Sequence, residues 1–446
     1  MKGPTSPSRG VESRDLRDTA TQADRAVLVG VERGRDGAAD ESLAELRRLA
    51  TTAGATVEAT LTQRLHAADP RTFIGKGKLD ELSAAVRELS ATVVVFDDEL
   101  TPSQQANIED AVPDVQVLDR TALILEIFAQ HAVSREGKLQ VELAQLEYVL
   151  PRLRGMWGHL VAERLGGGRG TRFGAGESQL ESDRRITRKR IAELRRDLKR
   201  VSAERQLQRK QRVRSGIFRV ALVGYTNSGK STTLNALTSA GVLVADQLFA
   251  TLDATTRTMD LAEGRRVTVT DTVGFIHKLP HGLIEAFKST LDEVREADLL
   301  LHVVDAAHPQ AREQIAAVTE VLGEIVAAER PTLLVLNKVD SLTGEERASW
   351  LAKYPHAVLY SAATGEGVDA LRDAIAAEAA RRSLTVTILV PYERGDIVAL
   401  AHEQALVVIE EHTDEGTRMV VRATLQVASR LEPFATHRTG TDEPAE

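Results

Sequence analysis

The chain of 446 residues contains no cysteine. That absence removes disulfides, thiolate nucleophiles and cysteine-bound zinc together. No stretch approaches the ~20 apolar residues of a membrane span. Residues 1–23 are rich in Thr, Ser, Arg and Asp and lack the apolar core of a signal peptide. The expected compartment is therefore the cytoplasm. Uniform positive charge is missing too: the formal net charge is −8, which argues against a nucleic-acid binder that is basic all over. It leaves room for a basic face on one element. What remains is a composition that is 42% hydrophobic and 27% charged, suited to a soluble protein of about three domains at ~150 residues each.

The chain is organised around Gly224-Tyr225-Thr226-Asn227-Ser228-Gly229-Lys230-Ser231, a Gly-x-x-x-x-Gly-Lys-Ser phosphate loop. Residues 218–224 read as a buried strand before it, and 231–237 as the start of a helix after it. The motif needs that context, because its backbone N–H groups and the helix N-terminus must face phosphate oxygens. Lys230 is expected on the β- and γ-phosphates and Ser231 on Mg²⁺. Strands at 258–262 and 266–270 follow, with Gly264 in the turn. Asp271-Thr272-Val273-Gly274 ends the second strand. There Asp271 is placed to bind Mg²⁺, directly or through water, and the Gly274 N–H to meet the γ-phosphate. Buried strands at 298–305 and 331–336 come next, the latter ending in Asn337-Lys338-Val339-Asp340. The Asp340 carboxylate can accept from both N1–H and the 2-amino group of guanine, and adenine offers neither donor. Asn337 supports the base loop, and the Lys338 stem covers a ring face. Ser361-Ala362-Ala363, after a strand at 357–360, offers backbone to the guanine O6. Each motif stands at the C-terminal end of a strand, where open parallel sheets bind ligands.

The expected fold class is α/β, in several units. Residues 1–24 are expected to form a disordered tail. Residues 25–133 alternate strands (26–31, 56–61, 92–96, 115–118) with helices and read as a small parallel α/β domain. Thr101 and Pro102 mark a helix start there. Gly75-Lys76-Gly77-Lys78 lacks the Gly-Lys-Ser/Thr ending, so it reads as a turn or an RNA-phosphate contact rather than a second nucleotide loop.

Residues 134–215 read as a long helical hairpin. Leu139, Leu143, Leu146 and Leu150 form a stripe on its first helix, and Pro151 kinks or ends the segment. Ile186, Ile191, Leu194, Leu198 and Val201 supply the seam of the second. Its tip, residues 165–176, is glycine-rich and carries Arg169 and Arg172. The second helix is dense in cations, including Arg184, Arg185, Arg188 and Lys189. It reads either as a solvated charged face or as an RNA-binding arm. Phe173 is the only aromatic at the tip, which points to phosphate and shape contacts rather than base readout. Residues 216–382 form the nucleotide domain. Residues 383–431 read as an α+β domain, with a strand at 385–390, a helix at 392–401 and strands at 406–411 and 417–427. Residues 432–446 are expected to be a flexible tail.

Taken together, residues 25–431 resemble the HflX family of translation-associated GTPases, in the Obg–HflX group. The resemblance rests on the phosphate loop, Leu248-Phe-Ala-Thr-Leu-Asp253, Asp271-Thr-Val-Gly-Phe-Ile276 and Asn337-Lys-Val-Asp340. Phe73-Ile-Gly-Lys-Gly-Lys-Leu79, Asp97-Asp-Glu-Leu-Thr-Pro-Ser-Gln-Gln105 and Arg135-Glu-Gly-Lys-Leu-Gln-Val-Glu-Leu-Ala-Gln-Leu146 add to it. It implies an N-terminal α/β domain with the hairpin, a Ras-like G domain, a small C-terminal domain, binding to the large ribosomal subunit and its RNA, and splitting of stalled ribosomes. By that resemblance Phe249, Ala250, Thr251, Leu252 and Asp253 belong to the switch segment at the nucleotide, and Thr251 joins Ser231 on Mg²⁺. The glycine loop departs from the family pattern: Phe173 is extra, the proline is lost, and Ser178 replaces threonine.

Lys230, Thr251 and Gly274 are the expected catalytic residues. After Gly274 stands Phe275, where Ras-like enzymes carry a water-orienting glutamine, so intrinsic hydrolysis is expected to be slow. A Mg²⁺-dependent GTPase stimulated by the ribosome, monomeric and binding GTP and GDP, is the leading reading. The alternative is a nucleotide-dependent switch that docks on ribosomes or a protein partner without splitting anything.

Overall fold

The computed structural model describes residues 23–32, 38–154, 176–214, 217–238, 248–249, 251–261, 266–278, 288–325 and 330–439. Three sheets organise them. The first is parallel, built from β1 (Arg25–Glu32), β2 (Thr56–Arg64), β3 (Val93–Phe96) and β4 (Gln116–Asp119) in the order β2-β1-β3-β4. All four residues of β3 are buried, as an unbroken apolar run requires when helices cover both faces. Those helices are α1 (Ala38–Thr52), α2 (Lys76–Glu88), α3 (Pro102–Ala111) and α4 (Arg120–His131). One core lies on each face of the sheet. Thr101 caps α3 with a reciprocal capping box to Gln104, and Pro102 takes the first turn, as the sequence predicts. Gly75 precedes α2, its N–H donating to Gln63 Oε1 at 2.9 Å. Lys78 pairs with Glu81 at 2.7 Å, so this stretch is a turn entering a helix.

The hairpin is represented by α5 (Arg135–Val149) and α6 (Gly176–Arg214). A 3-10 turn at Leu150–Arg154 contains Pro151, consistent with an end to α5 there. The joining segment, with Arg169, Arg172 and Phe173, lies outside the described residues. Two details differ from expectation. On α5 the deeply buried apolar side chains are Val141 and Ala144, while the leucine stripe is half-buried. On α6 Ile191 and Leu194 are buried, but Ile186 is 50% exposed and Thr187 takes the inner position. Arg190 and Arg195 cross the seam to Glu142 and Glu147, at 2.7 and 2.8 Å. Part of the cationic density therefore serves helix pairing.

The central sheet has the order β10-β9-β8-β5-β7-β6. Its strands are β5 (Phe218–Val223), β6 (Thr255–Asp260), β7 (Arg266–Asp271), β8 (Leu299–Asp305), β9 (Thr332–Asn337) and β10 (Val358–Leu359). Only β6 runs antiparallel to its neighbour. Helices α7 (Lys230–Thr238), α8 (Lys288–Glu296), α9 (Ala311–Ile325), α10 (Gly344–Lys353) and α11 (Val368–Arg381) accompany it. Strand β6 begins three residues earlier than the pattern suggested, and Gly264 lies outside the described residues.

The last sheet is antiparallel, in the order β12-β13-β11-β14. It comprises β11 (Ser383–Val390), β12 (Leu406–Thr413), β13 (Gly416–Thr424) and β14 (Ala435–Thr439), with helices α12 (Gly395–Gln404) and α13 (Leu425–Leu431). Two expectations are corrected here. The run 417–427 is not one strand: it turns into α13 at Leu425, because Val427, Ala428 and Leu431 share one buried helical face. The residues after 432 do not all form a loose tail. Strand β14 pairs with β11 from Thr439 opposite Thr385 to Ala435 opposite Ile388. Its polar Ala-Thr-His-Arg-Thr sequence carries no apolar alternation, so backbone pairing at the sheet edge was invisible beforehand.

Candidate guanine-nucleotide site

The functional motifs gather on the C-terminal rim of the central sheet, as predicted. The loop after β5 turns into α7, and Gly229 within it adopts φ +94°. A Cβ there would fall 2.2 Å from Asn337 Nδ2, so only glycine lets the base-side asparagine close on the phosphate loop. Asn337 Nδ2 donates to Ser228 O at 2.8 Å, and its Oδ1 accepts from Ala362 N at 2.9 Å. This one side chain ties the loop at 224–231 to the loop that begins at Ser361. Ser361 Oγ donates to Asp340 Oδ1 at 2.6 Å. That bond, first among several, holds the Asp340 carboxyl below its ordinary range. The carboxylate is thus charged and exposed at neutral pH. Lys338 Nζ reaches Asp305 Oδ2 at 2.7 Å, which draws its stem along the rim.

On the phosphate side, Lys230 Nζ donates to Tyr225 O at 2.8 Å and Gly224 O at 3.2 Å. Burial lowers its pKa to about 8, against the opposing pull of Asp271. Behind it, burial and then the Lys230 charge lower His302 to about 4, so that imidazole is neutral at pH 7. Ser231 Oγ lies 2.9 Å from Thr251 Oγ1 and donates to Asp271 Oδ2 at 2.6 Å. Thr251 Oγ1 donates to the same oxygen at 2.9 Å. Asp271 Oδ1 is buried with no hydrogen-bond partner among the described residues. Two hydroxyls and a carboxylate with a free oxygen form the hard-oxygen donor set that Mg²⁺ takes alongside phosphate, so these residues fit that ion. Thr251 was reached by resemblance alone. The structure brings it, rather than Thr255 or Thr256, to Ser231.

Phe275 N donates to Gly224 O at 3.0 Å, and its carbonyl accepts from Thr226 N at 2.7 Å. Its ring packs with Ala221, Val223, Tyr225 and Val294. Its side chain thus serves packing. Gly274 approaches Thr226 and the Lys230 ammonium closely. Thr272 Oγ1 donates to Leu222 O at 2.6 Å and so anchors the segment to β5. Val273, Leu252, Leu248 and Phe249 join a core that belongs mainly to the first sheet. Ala250 lies outside the described residues.

Sequence reasoning missed what stands on the other side of the segments around Thr251 and at 271–278. Arg120, 2% exposed, bonds Asp97 Oδ1 at 2.6 Å and Glu45 Oε1 at 2.7 Å. Burial alone would raise Asp97, but Arg120 and then Lys278 outweigh it and hold the carboxyl below its usual range. For Glu45 burial wins over Arg120, and its pKa rises. Glu45 Oε2 accepts from Tyr225 OH at 3.5 Å, while Lys278 Nζ reaches Asp97 and Asp98 at 2.7 and 2.9 Å. No local pattern links these residues; Lys278 and Asp97 are 181 positions apart. Of the cations expected to meet RNA, Arg185, Arg188 and Lys189 are exposed and Arg184 half-buried on α6.

A Gly-Lys-Ser loop, a strand-end aspartate, a switch threonine and an Asn-Lys-x-Asp base reader on one doubly wound sheet define a P-loop GTPase domain. Residues 219–338 match the family described as 50S ribosome-binding GTPase. Residues 40–129 and 131–212 match the GTP-binding GTPase N-terminal and middle regions. GTPase HflX of Caldanaerobacter subterraneus is 45% identical over 423 residues, covering 94% of this chain and 95% of that protein. GTPase HflX of Escherichia coli is 44% identical over 379 residues, covering 84% and 88%. The chain belongs to the HflX GTPases. Among solved structures, a GTP-binding protein from Sulfolobus solfataricus in complex with GDP is 25% identical, covering 80% of this chain and 98% of that one with a TM-score of 0.44. Among the described residues no helix is long and apolar enough to cross a membrane.

Proposed function

We propose that this protein is a cytoplasmic, Mg²⁺-dependent GTPase that docks on the large ribosomal subunit and separates stalled ribosomes. The observation that carries the reading is the meeting of Ser231, Thr251 and Asp271 within 2.9 Å of one another. It supports reading Thr251 as the switch threonine that bound Mg²⁺ and a γ-phosphate would hold. Ser231 and Thr251, with Asp271 through water, would hold Mg²⁺, which would supply charge neutralisation at the phosphate oxygens. Lys230 binds those phosphates, the Gly274 N–H orients the γ-phosphate, and Asp340 selects guanine. The Phe275 side chain, packed and without a hydrogen-bonding group, orients no water. Hydrolysis therefore waits on what docking supplies. Arg184, Arg185, Arg188 and Lys189 on α6, with Arg169 and Arg172 at the tip, meet ribosomal RNA through its phosphates. The protein acts as a monomer.

Sedimentation of the pure protein with intact ribosomes tests this, using a GTP analogue, GDP or no nucleotide. The analogue should carry the protein onto large subunits while the intact-ribosome peak shrinks. Binding without loss of that peak would favour a resident switch over a splitting factor. A protein left at the top of the gradient in every state would end the ribosomal reading.

A further inference from the structure

The two switch segments of the GTPase reading, one around Thr251 (248–253) and one at 271–278, both contact the N-terminal domain, and each holds a non-glycine residue in the left-handed region. Phe249 has φ 59° and Lys278 φ 54°. Such residues are strained unless their surroundings hold them, and both are held by the same neighbour. The Phe249 ring stands edge-on to Phe128 of α4, with centroids 4.6 Å apart. The Lys278 ammonium sits on Asp97 and Asp98, at 2.7 and 2.9 Å.

Between these anchors lies a shorter connection. Thr251 bonds Ser231 and Asp271 at the phosphate site. Two residues on, Asp253 Oδ2 accepts from Val133 N at 3.0 Å and Ser134 N at 2.6 Å. Its Oδ1 accepts from Ser134 Oγ. Ser134 is the N-cap of α5, accepting from Gly137 N at 2.9 Å. A Cβ on Gly137 would fall 2.6 Å from Asp253 Oδ1, so the carboxylate occupies space that only glycine leaves. One short strand of backbone thus has one end on the phosphate site and the other on the first turn of the hairpin.

We propose that Asp253 relays occupancy of the nucleotide site to the hairpin through Ser134. The inference rests on the GTP-switch reading above and specifies its route. Mg²⁺ and a γ-phosphate hold Thr251, which keeps Asp253 on Ser134 and the start of α5 capped. Loss of the γ-phosphate frees Thr251, Asp253 leaves, and the first turn of α5 is released. Linkage makes the coupling reciprocal: docking that fixes α5 favours GTP over GDP by the same factor.

Hydrogen exchange on the full chain with Mg²⁺ tests the relay. Amides at 133–140 should exchange several-fold more slowly with a GTP analogue than with GDP. Ser134→Ala should erase that difference, leave GDP affinity within twofold, and be rescued by Ser134→Thr. Gly137→Ala should erase it too, although alanine is the better helix former. The relay is wrong if both nucleotides bind and protection at 133–140 is equal in the wild type. It is also wrong if the two alanine variants keep the nucleotide-dependent difference. Failure to bind either nucleotide would instead remove the GTPase reading, and the relay with it.

Discussion

Lys230 is only 7% exposed, its ammonium bonded to the Tyr225 and Gly224 carbonyls of its own loop. Its free-state pKa of about 8 comes from burial, and a bound phosphate opposes that by favouring the charged ammonium. Binding therefore takes up a proton wherever free Lys230 is neutral. The sign follows: affinity for GDP is flat below about pH 7 and falls as pH rises through 8, by up to about tenfold per unit. Calorimetry at pH 8.5 in two buffers of different ionisation enthalpy should show proton uptake. Lys230→Arg, charged throughout, should bind with no such slope. The residues of this site were legible because each motif is contiguous: Gly229-Lys230-Ser231, Asp271 to Gly274, Asn337 to Asp340. A turn that must cradle phosphate dictates its own sequence. Ser134, Glu45 and Lys278 were not legible as partners of the site, since each meets it across a fold rather than along the chain.

Among elements, the hairpin shows how far periodicity carries. Apolar spacing on α6 located Ile191 and Leu194 correctly but also nominated Ile186, which faces solvent. A helix surface drifts relative to any fixed repeat, and only the partner helix decides where the seam starts and stops. The difference is measurable. Leu194→Ala, at a fully buried position, should lower stability in urea by about 2–4 kcal/mol. Ile186→Ala should cost no more than about 0.5 kcal/mol. Both variants should retain guanine-nucleotide binding, since neither side chain approaches the central sheet's rim. Strand β14 is the opposite case, an element with no apolar signal at all. It exists because β11 offers an unpaired edge and the chain returns to it after α13.

Across the whole molecule, Arg120 joins the N-terminal sheet to the G domain. Its guanidinium holds Asp97 and Glu45 together, and those carboxylates hold Lys278 and Tyr225. Removing the cation leaves two buried acids facing each other. Arg120→Ala should therefore cost about 3–5 kcal/mol, read as a lower guanidinium midpoint. Arg120→Lys should restore little, because one ammonium cannot replace a planar fork that reaches two carboxylates. Nucleotide affinity should weaken as well, because Tyr225 and Lys278 lose the surface that fixes them.

By itself the sequence determined the class of domains, the nucleotide chemistry and the guanine preference, because phosphate turns, buried parallel strands and a strand-end carboxylate are written in consecutive residues. Tertiary structure alone decided that both switch segments rest on the N-terminal domain and that Asp253 reaches the hairpin's first turn. Those contacts join residues more than a hundred positions apart, and only the packing of one sheet's helices against the other sheet's loops brings them within bonding distance.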